Sequence, residues 1–163
     1  MPGTDDDATR RELRSLAERY AQGVDRREVD TFVALFHDDA SIVIHDPSES
    51  TEPREIQGID RLAKIPEVIQ RYAKTFHLLG QSTYDIGDGE ATGEVYCIAH
   101  HLTPDAATSE NAGSGSAGGT NFVMYIRYED TYRPDADGAW KFTQRRLRVD
   151  WTETRAANPK EET

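Results

Sequence analysis

Four stretches in the second half of the chain alternate apolar and polar residues with period two. That alternation limits the fold more than any other feature. The stretches run at about His77 to Ile86, Ala91 to His101, Asn121 to Arg133 and Trp140 to Trp151. A period of two marks strands with one covered face. Two turns separate neighbours, Gly87-Asp88-Gly89 and Pro134 to Gly138 with its Asp137-Gly138 pair. Such turns join antiparallel strands as hairpins. A sheet of this length needs something apolar to lie against it.

The cover comes from the first half. Leu13, Leu16, Ala17, Tyr20, Ala21 and Val24 recur at helical spacing, after a Thr9/Glu12 capping box and the acidic run Asp5 to Asp7. Both features suit a helix N-terminus. A second short helix carries Val29, Phe32, Val33 and Phe36 and ends at His37-Asp38-Asp39. A short strand follows at Ser41 to His45, then a loop from Asp46 to Pro53. A third helix covers about Ile59 to Thr75, kinked or split by Pro66. Helices followed by strands predict an α+β fold: a curved antiparallel sheet wrapped around N-terminal helices, forming a cone with an internal pocket. The 163 residues suffice for one core and not comfortably for two. We read 8–155 as a single domain. Within it, 103–119 is dominated by Ala, Ser, Gly and Asn. It is expected to be a flexible loop, either a lid over a cavity or a solvated insertion. Residues 156–163 are expected to fray.

Charge and cysteine content narrow the partners. Lys plus Arg number 19 against 30 Asp plus Glu, a net charge of -11, which argues against nucleic acid or an anionic membrane surface. Cys97 is the one cysteine, so neither an internal disulfide nor a cysteine zinc site is expected. The first residues show no signal peptide and the chain no membrane span, so a cytoplasmic location is expected. There is no Walker loop, no GxGxxG, no GxSxG and no HExxH. His100 and His101 are adjacent on a strand and point to opposite faces. Neither metal nor cofactor is expected.

The residues that could carry chemistry are few. His77 sits among apolar residues in TFHLLG, where the third helix gives way to the first long strand, and Asp25 ends the first helix. A carboxylate that accepts from one imidazole nitrogen fixes the tautomer and raises the basicity of the other. The pair could then remove a proton at neutral pH. Tyr20, five residues before Asp25, could donate a hydrogen bond to a substrate oxygen. Arg145 falls with Leu147, Val149 and Trp151 on one face of a regular last strand, where a guanidinium could meet a developing anion. One bulge would exchange it for Arg146. Each residue also has a plainer role: His77 as a bonded core histidine, Asp25 as a helix cap, Tyr20 as a core aromatic, Arg145 in an ion pair.

The stretches LAERYAQGVDRREVDTFVALFHDDASIVI, GIDRL, TFHLLGQ and DGAWKFTQRRLRVDW resemble SnoaL-like proteins of the nuclear transport factor 2-like, cystatin-like superfamily. The resemblance is to the branch containing hexachlorocyclohexane dehydrochlorinase, bile-acid 7α-dehydratase and scytalone dehydratase. It implies that Asp25 and His77 form a proton-abstracting dyad, with Tyr20 and Arg145 at matching supporting positions. His100 falls near a position that is Asp in the bile-acid enzyme. The implied activity is that of a cofactor-independent lyase or isomerase on a small apolar molecule. Phe32, Phe76, Leu147, Val149 and Trp151 would form the pocket walls. The superfamily's habit of associating through the open sheet face implies a homodimer or homotrimer. The alternative is a module of the same fold that binds small molecules or partners without catalysis.

Overall fold

The computed structural model describes residues 4–104 and 119–157. The order of elements is α1 (Thr4–Arg26), α2 (Val29–Val33), β1 (Phe36–His45), β2 (Arg54–Gln57), α3 (Ile59–Leu62), α4 (Ile65–Ile69), β3 (Lys74–Ile86), β4 (Ala91–Pro104), β5 (Gly119–Pro134) and β6 (Trp140–Ala157). The strands form one six-stranded sheet in the order β2-β1-β6-β5-β4-β3. It is open, with N-terminal helices against one face, an α+β cone-like fold.

The first helix and the four long strands stand where the periodicity puts them, and the second helix stops at Val33, before Phe36. The third helix is shorter, two brief turns with Pro66 at the start of the second. The sheet is also mixed. β1 pairs parallel with β6, Ile42 opposite Arg145 and Ile44 opposite Leu147, while every other pair is antiparallel. β1 begins at Phe36 and not Ser41, because Phe36 pairs with Phe142. The tail is ordered further than its composition suggests, since Ala156 and Ala157 pair with Thr120 and Gly119. The rest of the expected flexible loop, 105–118, and of the expected frayed tail, 158–163, lies outside the described residues.

The apolar stripe of α1 is the core face. Leu13, Leu16, Ala17, Tyr20, Ala21 and Val24 are all buried, and burying each large one contributes roughly 1.5–3 kcal/mol. All of them but Ala21 meet Phe32, Phe36, Tyr128, Tyr132 and Phe142 in one aromatic-rich cluster. Tyr20 alone contacts four of these rings, at centroid distances of 5.3–6.4 Å. Two arginines of α1 reach across to β3, Arg10 to the Tyr84 carbonyl at 2.5 Å and Arg14 to the Gly80 carbonyl at 2.9 Å.

Candidate active site

The end of α1 and the start of β3 bring Asp25 and His77 together across 52 positions of sequence. His77 Nδ1 donates to Asp25 Oδ1 at 2.7 Å, and the His77 backbone N–H donates to Asp25 Oδ2 at 2.9 Å. β3 is an edge strand, so Asp25 also satisfies a backbone donor that the sheet leaves unpaired. The His77 side chain is 6% exposed and that of Asp25 21%. Burial raises the Asp25 pKa, but the bonds and charge of His77 outweigh it, and the net shift is downward. Asp25 is therefore ionised and can only accept, which places the neutral ring's proton on Nδ1. Nε2 is left with a lone pair and has no protein partner among the described residues.

His77 lines a cavity of about 190 Å³ inside the cone. Its walls include Tyr20, Ile42, Ile44, Tyr72, Ala99, His101, Met124, Tyr128 and Leu147. Asp46, Glu49, Arg54 and Arg71 add charged groups to the lining. The Tyr20 phenol is pushed up to about 12 by burial, with the Arg145 guanidinium acting in the opposite sense. It stays protonated at neutral pH and is available as a donor.

Arg145 requires a correction. It faces inward, and Arg146 does not share its burial, so the choice between the two is decided. Yet Arg145 does not line the cavity. It is fully buried, forks onto Asp130 at 2.8 and 2.7 Å, and lies 4.1–4.4 Å from the rings of Tyr20, Tyr128 and Phe142. Asp130 also accepts from the Tyr132 hydroxyl at 2.9 Å. A guanidinium committed in this way is placed behind Tyr20, not in front of a substrate.

The expected walls divide. Leu147 lines the cavity. Phe32 and Val149 are buried in the core beside it. Phe76 is 62% exposed and Trp151 54% exposed, both off the cavity. Phe76 precedes an inward His77 on a strand and so points out. Trp151 is turned outward by a bulge: Ile126 pairs with Val149 but Tyr125 pairs with Trp151, so Asp150 is the extra residue. Trp151 then stacks on Tyr125 at 4.2 Å.

His101 and Tyr72 belong to the site and were not anticipated. His101 is buried, its ring 5.9 Å from that of His77 and 4.7 Å from that of Tyr72. Its Nδ1 donates to the Phe122 carbonyl at 3.3 Å, which leaves Nε2 an acceptor. Burial, with the His77 charge second, lowers its pKa to about 4. The signal for it was present: Val95, Cys97 and Ala99 alternate inward on β4, and the next inward position is 101, not 100. Among the described residues no group of three or more metal-binding side chains occurs, and no helix is long and apolar enough to cross a membrane.

Comparison with known proteins agrees with this architecture. The SnoaL-like domain model matches residues 7–146. Similar solved structures include the Kfla4162 protein of Kribbella flavida, 22% identical over 91% of this chain and 95% of that one, with a TM-score of 0.73. A type 3 hexachlorocyclohexane dehydrochlorinase from Novosphingobium barchaimii is 16% identical over 92% of both chains, with a TM-score of 0.71. A candidate scytalone dehydratase from Novosphingobium aromaticivorans is 24% identical over 99% of both chains, with a TM-score of 0.70. At these identities the likeness is one of fold. No curated protein matches the sequence at a significant level.

Proposed function

We propose that this chain, which belongs to the SnoaL-like domain family, is a cofactor-independent lyase of dehydratase or dehydrohalogenase type, or an isomerase using the same first step. The observation that carries this reading is the two-point hold of Asp25 on His77, at 2.7 and 2.9 Å, with the ring lining an internal cavity. His77 Nε2 takes a proton from a substrate carbon. In elimination, the C–H electron pair becomes the new C=C bond as hydroxide or halide leaves the neighbouring carbon. Departing hydroxide takes up a proton from the imidazolium, so that one water is lost; departing halide leaves as the anion and the imidazolium releases its proton to solvent. In isomerisation, the imidazolium returns the proton to a different carbon. Tyr20, kept protonated by burial, donates to the substrate oxygen or leaving group. Arg145 supports Tyr20 from behind its ring. His101, neutral, accepts from a substrate hydroxyl. The cavity of about 190 Å³ is below the ~300–1,000 Å³ of drug-sized sites, which favours a small apolar substrate.

The names of the structural neighbours indicate what to screen first: chlorinated cyclohexanes and small hydroxylated ring compounds. In such an elimination assay His77→Ala and Asp25→Asn should each lower turnover by about 10²–10⁴-fold in proteins that still fold cooperatively. Turnover retained in His77→Ala would remove the reading. Ligand binding without turnover across the panel would support the alternative, a binding module of the same fold. We propose further that the chain forms a homodimer or homotrimer through the outer sheet face, where Phe76, Leu78, Tyr96 and Trp151 are exposed.

A further inference from the structure

Among the described residues, Arg27 is the one non-glycine residue with a positive φ, 58°. It stands where a helix end ordinarily has glycine. The Arg27 N–H donates to the Val24 carbonyl at 3.2 Å and the Glu28 N–H to the Gly23 carbonyl at 2.9 Å, the paired bonds of a Schellman end. Glycine would make the same two bonds without the steric cost that a Cβ meets in the left-handed region. The backbone gains nothing from arginine here, so the side chain must account for it.

The guanidinium of Arg27 donates to the Asp25 carbonyl, to Thr75 Oγ1 at 3.2 Å and to the Tyr72 carbonyl at 3.2 Å. Each acceptor belongs to a different part of the candidate site. Asp25 carries the carboxylate of the dyad. Thr75 is buried and lies two residues before His77 on β3. Tyr72 lines the cavity and packs on His101. The other arginine tethers between α1 and β3 come from Arg10 and Arg14. Even Arg14 is eleven residues before Asp25, roughly 16 Å along the helix. They cannot set the separation at the dyad end.

We infer that Arg27 is a positioning residue that sets the distance and angle between Asp25 and His77 by tying the end of α1 to the start of β3. The inference rests on the dyad reading above. Its planar fork suits the task, since one group meets three acceptors that diverge from a single point.

The test follows the His77 imidazole by ¹⁵N-edited NMR in wild type, Asp25→Asn, Arg27→Gly and Arg27→Lys. Arg27→Gly should melt within a few degrees of wild type, because relief of the left-handed strain offsets part of the loss of the guanidinium's hydrogen bonds. Its His77 Nδ1 proton should nonetheless exchange with solvent about fivefold faster or more, the factor that loss of one hydrogen bond's net hold implies. Its His77 titration midpoint should move toward that of Asp25→Asn. Arg27→Lys, a point donor on a flexible stem, should recover part of the wild-type behaviour. Wild-type exchange and titration in Arg27→Gly, with both altered in Asp25→Asn, would overturn the inference and leave the dyad standing. Indifference of His77 to Asp25→Asn would overturn the dyad and the inference with it. If Arg27→Gly does not fold, Arg27→Asn decides: it tolerates the left-handed region but is too short to reach Thr75 or Tyr72, and wild-type exchange in it refutes the positioning role.

Discussion

Replacing Asp130 by Asn tests the largest electrostatic commitment in the core. The carboxylate and the Arg145 guanidinium are both 0% exposed in their side chains and joined by two bonds. Asn keeps the shape and removes the charge, leaving a buried cation with one acceptor in place of two. Breaking one side of such a pair costs about 3–5 kcal/mol. The ring faces of Tyr20, Tyr128 and Phe142 remain as partial compensation, which favours the lower end. Unfolding entropy of about 2.1 cal/mol/K per residue over 163 residues gives about 340 cal/mol/K. The cost then appears as a drop in Tm of about 9–15 °C. The control is Asp130→Leu with Arg145→Met and Tyr132→Phe. It removes both charges and also the Tyr132 hydroxyl that would lose its acceptor. With no charge or donor orphaned, the triple variant should lie closer to wild type than Asp130→Asn does. Calorimetry at pH 7 on the three proteins checks this. A Tm loss under about 3 °C in Asp130→Asn, or a triple variant at least as damaged, would refute the account of Arg145 as a paired structural cation behind Tyr20.

Two further outcomes follow from other parts of the molecule. Folded His101 takes up its proton only near pH 4, whereas an unfolded histidine does so near 6.5. Between these values the unfolded state binds more protons. Stability therefore falls by about 2–3 kcal/mol as pH drops through that window, and urea titrations of His101→Gln should show a shallower acid loss. On the outer face, Leu78→Asp should shift sedimentation from an oligomer to a monomer at micromolar concentration; a wild-type monomer would remove the proposed assembly.

Periodicity was enough for the fold because it is a local property. The α1 stripe and the four long strands bury what their spacing says they bury as far as Val149, where the bulge turns Trp151 outward. The parallel pairing of β1 with β6 depends on which strand edge β1 reaches, and no short window of sequence encodes that. At the site, Asp25 and His77 were legible through resemblance, since 52 positions separate them and neither signals the other. His101 was legible in principle from the alternation on β4, and the HH pair drew attention to metal spacing instead. Phe76 could have been excluded as a wall by its adjacency to His77. Trp151 could not, because its outward turn comes from a bulge at Asp150 that no residue type announces.

The geometry at Asp25 explains why Asn is a sharper probe than Ala at that position. The carboxylate accepts from two donors of one residue, the His77 backbone N–H and Nδ1. Asn has one acceptor oxygen and one donor amide. Its oxygen can keep the backbone bond that covers the β3 edge, so the helix end stays docked. Its amide must then donate to Nδ1, which forces the ring proton onto Nε2. The nitrogen that lines the cavity becomes a donor and cannot take a proton from carbon. Asn thus separates the two services of Asp25, preserving the structural one while inverting the chemical one, whereas Ala removes both. Activity lost in a protein that still melts like wild type would locate the function of Asp25 in the tautomer that it imposes.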